Sequence, residues 1–312
     1  MDPLSSILKN VRLEGSVYFN ACFSAPWGLD LGQNKRAYFH IVVRGTCYIQ
    51  VGEKKDLLQG GDIVILPHGI AHQIFDDPSS DCVDAQQVVP GLISGINPFE
   101  GKDQSRDIDI LCGYFDFNDS APSCFLNSLP DVIHLTQEHR IHFSFLDNAL
   151  SLITQETKTK SLGREILIDK ITELMFVQII RVHVNLNENE QNIFSALNDR
   201  VLSVALQLMH TEPEKSWTVD SLAKATGMSR SRFSNHFHDF IGEPPMHYLH
   251  SCRMQVAKQK IEETESPLNI ISEEVGYASD SAFKTAFKKF FGNSPKTFRR
   301  NTKQMNQPND RH

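Results

Sequence analysis

Nowhere in the 312 residues does an apolar run approach the roughly 18 that a membrane-spanning helix needs, so no membrane association is expected. The opening stretch MDPLSSILKNVRLEG has no basic start leading into a long apolar core. No signal peptide is predicted, and a cytoplasmic protein is expected. The six cysteines, Cys22, Cys47, Cys82, Cys112, Cys124 and Cys252, include no CxxC pair. A chain this long needs no covalent staples, so reduced thiols are expected rather than a disulfide framework. The length leaves room for two domains with a helical segment between them.

Positive charge is scarce overall and concentrated at one end. The formal net charge is −7, yet residues 221–303 carry 13 Lys/Arg against 8 Asp/Glu, a net +5; the rest carries 18 against 30, a net −12. A basic block on an acidic protein points to a polyanion-binding module.

The first third reads as β. GSVYFNACF, RAYFHIVVRG, TCYIQVG, GDIVILP and IDILCGYFDF are rich in β-branched and aromatic residues, punctuated by Gly, Pro, Asp and Asn. Short strands so spaced predict a sandwich or barrel, with surface loops at 76–81 and 96–107. Helical periodicity begins after Leu129-Pro130. In GREILIDKITELMFVQIIRVHVNL, Ile168, Ile171, Met175 and Ile179 recur at spacings of three and four. Leu167, Leu174 and Ile180 widen that stripe beyond one packed face. The surplus either packs on the β domain or joins a second copy in a homodimer. The polar stretch NLNENEQN, residues 185–192, reads as a linker. The expected organisation is α+β and multidomain. A β-barrel spans 1–128, a helical connector with linker 129–192, an all-α domain 193–300, and a disordered tail 301–312.

Within the all-α domain, MSRSRFSNHFHDFIGEPP and YASDSAFKTAFKKFFGNSP share the frame Phe-x3-Phe-x2-Phe-x-Gly-x2-Pro. In the first copy Thr218 is expected to cap a short helix that turns Val219, Leu222 and Ala223 inward. Gly227 ends it, and Ser229 caps the next. Ala223 is small where two helices of a helix–turn–helix cross closely. Phe233, Phe237 and Phe240 then share a buried face. At about 100° per residue, Ser231, Asn235 and His238 point nearly opposite, Ser234 flanks them, and Arg230 lies at the exposed helix start. The second copy repeats this with Ser272, Gly276, a cap at Ser279 or Asp280, and Phe283, Phe287 and Phe290. Asp280, Ser281, Lys284, Thr285 and Lys288 face outward. The glycines are offset by 49 and the phenylalanines by 50, so the second turn is one residue longer. MHYLHSCRMQVAKQKIEET connects the copies as a helix with Leu249, Cys252, Val256 and Ala257 on one side. Outward hydroxyl, amide and guanidinium groups suit base edges and phosphates.

The stretches LAKATGMSRSRFSNHFHDFIGEPPMHYLHSCRMQVAK and VGYASDSAFKTAFKKFFGNSPKTFRR resemble the DNA-binding domain of the AraC/XylS family of bacterial transcription regulators, across both helix-turn-helix units. The resemblance implies that both second helices enter successive major-groove segments of double-stranded DNA, about 34 Å apart. It also implies contact with RNA polymerase, commonly as an activator. On that reading Arg230, Lys284 and Lys288 set register on phosphates, while Ser231, Asn235, Ser281 and Thr285 discriminate bases. Ser231 and Asp280 are positions that vary within the family. Glu273 and Glu274 depart from its less acidic pattern.

In GDIVILPHGIAH the spacing Gly61-x5-Pro67-x-Gly69-x2-His72 is similar to the second motif of cupins, small β-barrels in which that His can ligate a metal. The first cupin motif normally adds two His and a Glu; YFHIVVRGTCYIQVG offers His40 alone. Together with DPLSSILKNVRLEG, SAPWGL, LCGYF and LNSLPDVIHL, these make residues 1–185 resemble the cupin sensor domain of one AraC-family branch. Its members respond to ligands or stress, some through cysteine. The resemblance implies that His40 and His72 approach each other inside the barrel. Cys22 and Cys112 lie on predicted strands whose alternation lets either point inward.

These four residues are the sensor candidates. Two imidazoles with one or two thiolates suit zinc or copper(I), with His40 and His72 as ligands. Thiols beside an imidazolium would also have a lowered pKa and react with oxidants. A small-molecule effector competes with both ideas. Against them stands the ordinary role of a strand Cys as a small buried hydrophobe, the reading for Cys47, Cys82, Cys124 and Cys252. His68 is expected on an exposed turn. A metal-dependent cupin enzyme fused to a DNA-binding tail is the alternative from another class. The missing second His and Glu argue against it, and no catalytic residue is expected.

Overall fold

The computed structural model describes residues 13–101, 107–117, 129–140, 144–159, 161–186 and 193–305, together with positions 2, 4, 5, 8 and 126. The expected tail beyond 305, Cys124, and most of the expected linker therefore lie outside the described residues. Contacts divide the chain into two compact units. One joins Leu13–Phe117 to Leu129–Leu186, and the other holds the helices from Ile193 onward.

The first unit contains ten strands among the described residues. They are β1 Leu13–Phe23, β2 Gly28–Leu31, β3 Ala37–Arg44, β4 Thr46–Val51, β5 Lys54–Gln59, β6 Ile63–Leu66, β7 His72–Phe75, β8 Val83–Asp84, β9 Ile108–Phe117 and β10 Ile133–Leu135. Two five-stranded sheets result, ordered β1-β9-β3-β6-β10 and β5-β4-β7-β2-β8. Inward residues of both, among them Phe23, Leu29, Ile49, Ile74 and Ile110, form one buried core with Trp27 of the turn between β1 and β2. The pairing of β3 with β9 sets His40 opposite Cys112, while His72 opens β7 in the other sheet.

A helix over Ala85–Ile93 (α1), with Pro90 inside it, is one that the sequence pattern did not announce. It forms because Asp84 accepts from the Gln86 N–H and Ala85 and Leu92 are buried. Three further helices follow: α2 Gln137–Arg140, α3 Ser144–Thr157 and α4 Arg164–Leu186. Through Leu186 this helical segment falls in the same compact unit as the strands. The reason is packing. Phe176 of α4 sits 5.1 Å, ring to ring, from both Phe115 and Phe117. Gly15 of β1 comes so close that a Cβ there would lie 2.9 Å from Thr172 Cγ2. Ile180 is buried with this face, whereas Leu167, Leu174 and Ile166 are exposed.

The second unit is all helix: α5 Ile193–Asn198, α6 Leu202–Thr211, α7 Val219–Ala225, α8 Arg230–Ile241, α9 Pro245–Glu263, α10 Leu268–Glu274, α11 Asp280–Phe291 and α12 Pro295–Met305. Thr218 and Ser221 form a reciprocal capping box on α7, and Ser229 caps α8. Ser279, of the two candidates, caps α11. Gly227 and Gly276 end their helices in the left-handed region, at φ +71° and +77°. In each turn the following N–H bonds back to the small residue, Met228 to Ala223 and Tyr277 to Ser272, both at 2.9 Å. The extra residue of the second turn is therefore Ala278, between Tyr277 and the cap. Phe233, Phe237, Phe283 and Phe287 are fully buried, while Phe240 and Phe290 are half-buried. Helix α12 runs five residues past the expected boundary at 300, because Pro295 starts it and Phe298 anchors it among Phe287 and Phe291. No helix among the described residues is long and apolar enough to cross a membrane.

Candidate functional site

Two constellations carry chemistry, one in each unit. In the helical unit, α8 and α11 turn their phenylalanines inward and their polar residues outward. Ser231, Asn235, His238, Ser281, Thr285 and Lys288 are exposed as expected, and Ser234 is half-buried. Three residues have partners that the sequence pattern did not announce. Arg230 pairs with Asp220 at 3.3 Å, and Lys284 with Asp280 at 2.5 Å, one turn away. The Thr285 hydroxyl donates to the Ser281 carbonyl at 3.0 Å. These pairs are exposed, so each holds its side chain only weakly against a phosphate or a base.

Helical geometry also adds Arg232, which the stripe analysis passed over. It is exposed and lines one shallow groove with Ser231, Asn235 and His236. Its position, one residue before the inward Phe233, places it on the flank of the outward face; counting rotation from both sides of the stripe would have found it. His236 is paired within that groove, 3.1 Å from Asp199. That carboxylate also caps α6 by accepting from the N–H groups of Val201 and Leu202.

In the barrel, three of the four sensor candidates meet and one does not. The His40 Nδ1 lies 3.0 Å from the Cys112 sulfur, and its Nε2 lies 2.7 Å from the His72 Nε2. The His72 Nδ1 lies 2.8 Å from the Ile70 carbonyl oxygen. A carbonyl can only accept, so with both imidazoles neutral the direction of each bond follows. His72 Nδ1–H donates to Ile70, so its Nε2 accepts from His40 Nε2–H. The remaining nitrogen of His40 then accepts from the Cys112 S–H. All three side chains are almost fully buried, and burial drives both imidazoles towards neutrality. His72 is lowered to about 4, and His40 well below its ordinary value by burial and then by His72. Burial raises the Cys112 thiol well above its usual range.

Cys22 stands apart. It is half-buried, its thiol donates to Asp107 at 3.5 Å, and burial followed by Asp109 raises it to about 11. The expectation of thiols activated by an imidazolium is corrected on both counts. Burial disfavours a charge on either imidazole, and the charges beside Cys22 are carboxylates, which disfavour a thiolate. His68 is half-buried rather than exposed, with its Nε2 2.8 Å from the Leu129 carbonyl.

The zinc or copper set does not fit this geometry either. Two nitrogens each about 2.05 Å from one tetrahedral ion stand about 3.3 Å apart, farther than the 2.7 Å between the two Nε2 atoms. Cys112 occupies the opposite nitrogen of His40 and cannot reach the same ion. No group of three metal-binding side chains occurs among the described residues.

His40 and Cys112 line a cavity of about 300 Å³ with Leu29, Leu31, Ile74 and Val89. Tyr38, Asn34 and Gln86 supply polar groups, and no Asp, Glu, Lys or Arg among the described residues lines it.

Comparison with known proteins adds the deciding observation. Residues 2–185 match the cupin family and residues 222–301 the helix-turn-helix domain family. The chain is an AraC-type transcription regulator with an N-terminal cupin domain. Across the whole length, this regulator is 29% identical to the HTH-type transcriptional regulator AlkR of Acinetobacter baylyi, over 96% of this chain and 99% of that one. It is 28% identical to the RCS-specific HTH-type transcriptional activator RclR of Escherichia coli, over 98% of this chain and 99% of that one. A solved structure of the DNA-binding domain of AdpA with target DNA aligns at 23% identity, covering 35% of this chain and 96% of that one, with a TM-score of 0.33. Its helix-turn-helix domain marks it as a DNA-binding regulator.

Proposed function

We propose that the protein is a cytoplasmic transcription activator, not an enzyme, that binds its operator through α8 and α11, contacts RNA polymerase, and is controlled by an effector in the cupin unit. The DNA-reading assignment is supported by the outward faces of the two helices. Ser231, Asn235, Ser281 and Thr285 reach bases; Arg230, Lys284 and Lys288 reach phosphates. The name of one relative, an activator, favours activation.

The observation that carries the sensor reading is the cavity beside His40 and Cys112. Its walls are mostly apolar and lack formal charge, so the effector is an uncharged small molecule. An anion buried there would find no cation to pair with. Oxidation of Cys22 is disfavoured by its two carboxylates, and a metal by the relay that ties both imidazoles together. The same relay leaves no open ligand position for a cupin-type metal enzyme. The exposed Ile166, Leu167 and Leu174 on α4, with Leu174 54% exposed, form an apolar stripe that a second copy covers in a symmetric dimer.

The test is binding of 1-octanol and octanoate, matched in length and differing in charge, to the purified protein by calorimetry and by their effect on DNA affinity at fixed salt. Octanol should bind at least about tenfold more tightly than octanoate, and Ala85→Trp, which fills the cavity, should abolish binding. Equal binding of octanoate would sink the assignment of an uncharged effector. Turnover of substrate by the full-length protein with added iron or manganese would sink the non-enzyme reading.

A further inference from the structure

We propose that Arg253, in the middle of the linking helix α9, is a positioning residue that sets the spacing and phase of the two DNA-reading helices. This rests on the reading that both α8 and α11 contact bases. A helix of 19 residues holds its two ends about 28 Å apart. It does not by itself fix how each helix–turn–helix is rotated around it. Each unit packs on its own stretch of α9. Tyr248 meets Phe237 of the first unit, while Met254, Ala257 and Ile261 meet Phe283 and Phe287 of the second. Something must tie the two packed units to each other.

Arg253 lies where they meet. Its Nε donates to the Pro213 carbonyl and its Nη2 to the Lys215 carbonyl, both at 2.7 Å. Those carbonyls belong to the loop leading from α6 into α7, the first helix of the first unit. The same loop rests on the second unit, at the turn glycine Gly276. A Cβ at Gly276 would lie 2.5 Å from the Glu214 oxygen and 2.9 Å from the Arg253 Nη2. The corresponding Gly227 has nothing within 4 Å of such an atom. The first repeat therefore uses its glycine for backbone conformation alone, and the second also uses it for contact. The guanidinium's planar fork bonds two carbonyls of one loop in fixed directions, which a lysine cannot do. Tyr277, directly after Gly276, adds a contact of 2.9 Å between its hydroxyl and His250 on α9.

The expected consequence concerns DNA spacing. One extra base pair between half-sites rotates one against the other by about 35°, so a locked pair of helices tolerates it poorly. Selection from random DNA with the full-length protein should give two motifs at one spacing. On that operator with one base pair inserted, the wild type should lose at least about tenfold in affinity. Arg253→Gln should lose about threefold or less on the same insertion, while keeping both motifs. Arg253→Lys should fall between them. A merely structural role for Arg253 would weaken binding at every spacing alike, and an insertion penalty in Arg253→Gln equal to that of the wild type overturns the proposal. Should Arg253→Gln fail to fold by circular dichroism, Gly276→Ala decides. It must relax the spacing in the same way, and an unchanged penalty there also overturns the proposal. A single motif from the wild-type selection would instead overturn the two-helix reading beneath it.

Discussion

At the scale of single residues, position on a helix face separates affinity from specificity. Asn235 is exposed at the centre of α8 with an amide that can bond a base edge, whereas Lys288 offers one charge to a phosphate. Asn235→Ala should weaken specific binding more than binding to random DNA. Lys288→Ala should weaken both and flatten the salt dependence by about one unit; equal losses for Asn235→Ala on both DNAs would contradict the assignment. In the barrel, His72 titrates at about 4 when folded, and His40 is also lowered. An unfolded chain therefore takes up protons first as the pH falls. Stability from the neutral relay is complete above about pH 6.5 and is lost as the pH falls towards 4. His210, lowered to about 4 by burial beside Tyr248, adds the same dependence to the helical unit. Histidine ring resonances in NMR should show all three neutral at pH 5.5, with the melting temperature falling over the same range. A midpoint near 6.5 for His72 would contradict the relay. The meeting of His40 with His72 is what the cupin resemblance implied. Membership of Cys112 was not legible, because alternation leaves Cys22 equally eligible. Only the register of β3 on β9 chooses between them.

At the scale of elements, the two helix–turn–helix copies form an internal control. Gly227→Ala and Gly276→Ala alter the same turn position at nearly the same φ. The first should cost about 1 kcal/mol, the backbone term alone. The second should cost clearly more, since the new methyl meets the Glu214 carbonyl. Denaturant unfolding of the two variants checks the difference. Phe233→Ala and Phe283→Ala, each emptying a fully buried site, should both cost about 3–5 kcal/mol. These helices were legible in advance because caps, turn glycines and stripes are local signals. Strands β2, β7, β8 and β10 were less so, being four residues or fewer, as was β5, whose KKDLLQ has no β-branched or aromatic residue, and α1 contains a proline and a glycine. What forms α1 is burial of Ala85 and Leu92 against the sheets, which no window of its own sequence records.

For the whole molecule, the surplus apolar stripe on α4 divides between two uses. Ile180 packs within its own unit, while Leu167 and Leu174 remain exposed. Sedimentation should show a dimer, and Leu167→Glu with Leu174→Glu should shift it to monomer without lowering the melting temperature. A wild-type monomer at the concentrations used for DNA binding would remove the dimer from the proposed function.

Sequence by itself determined the α+β class, the barrel followed by helices, the doubled unit and the outward polar faces. Each of these follows from periodicity and turn chemistry over a few residues. Tertiary structure alone decided which thiol joins the histidines, how the two imidazoles and that thiol are linked, how Phe176 of α4 packs on β9, and that Arg253 bonds the loop leading into α7. Those outcomes depend on strand register, burial and contacts between residues far apart in the chain, where a shift of one position exchanges inward for outward side chains.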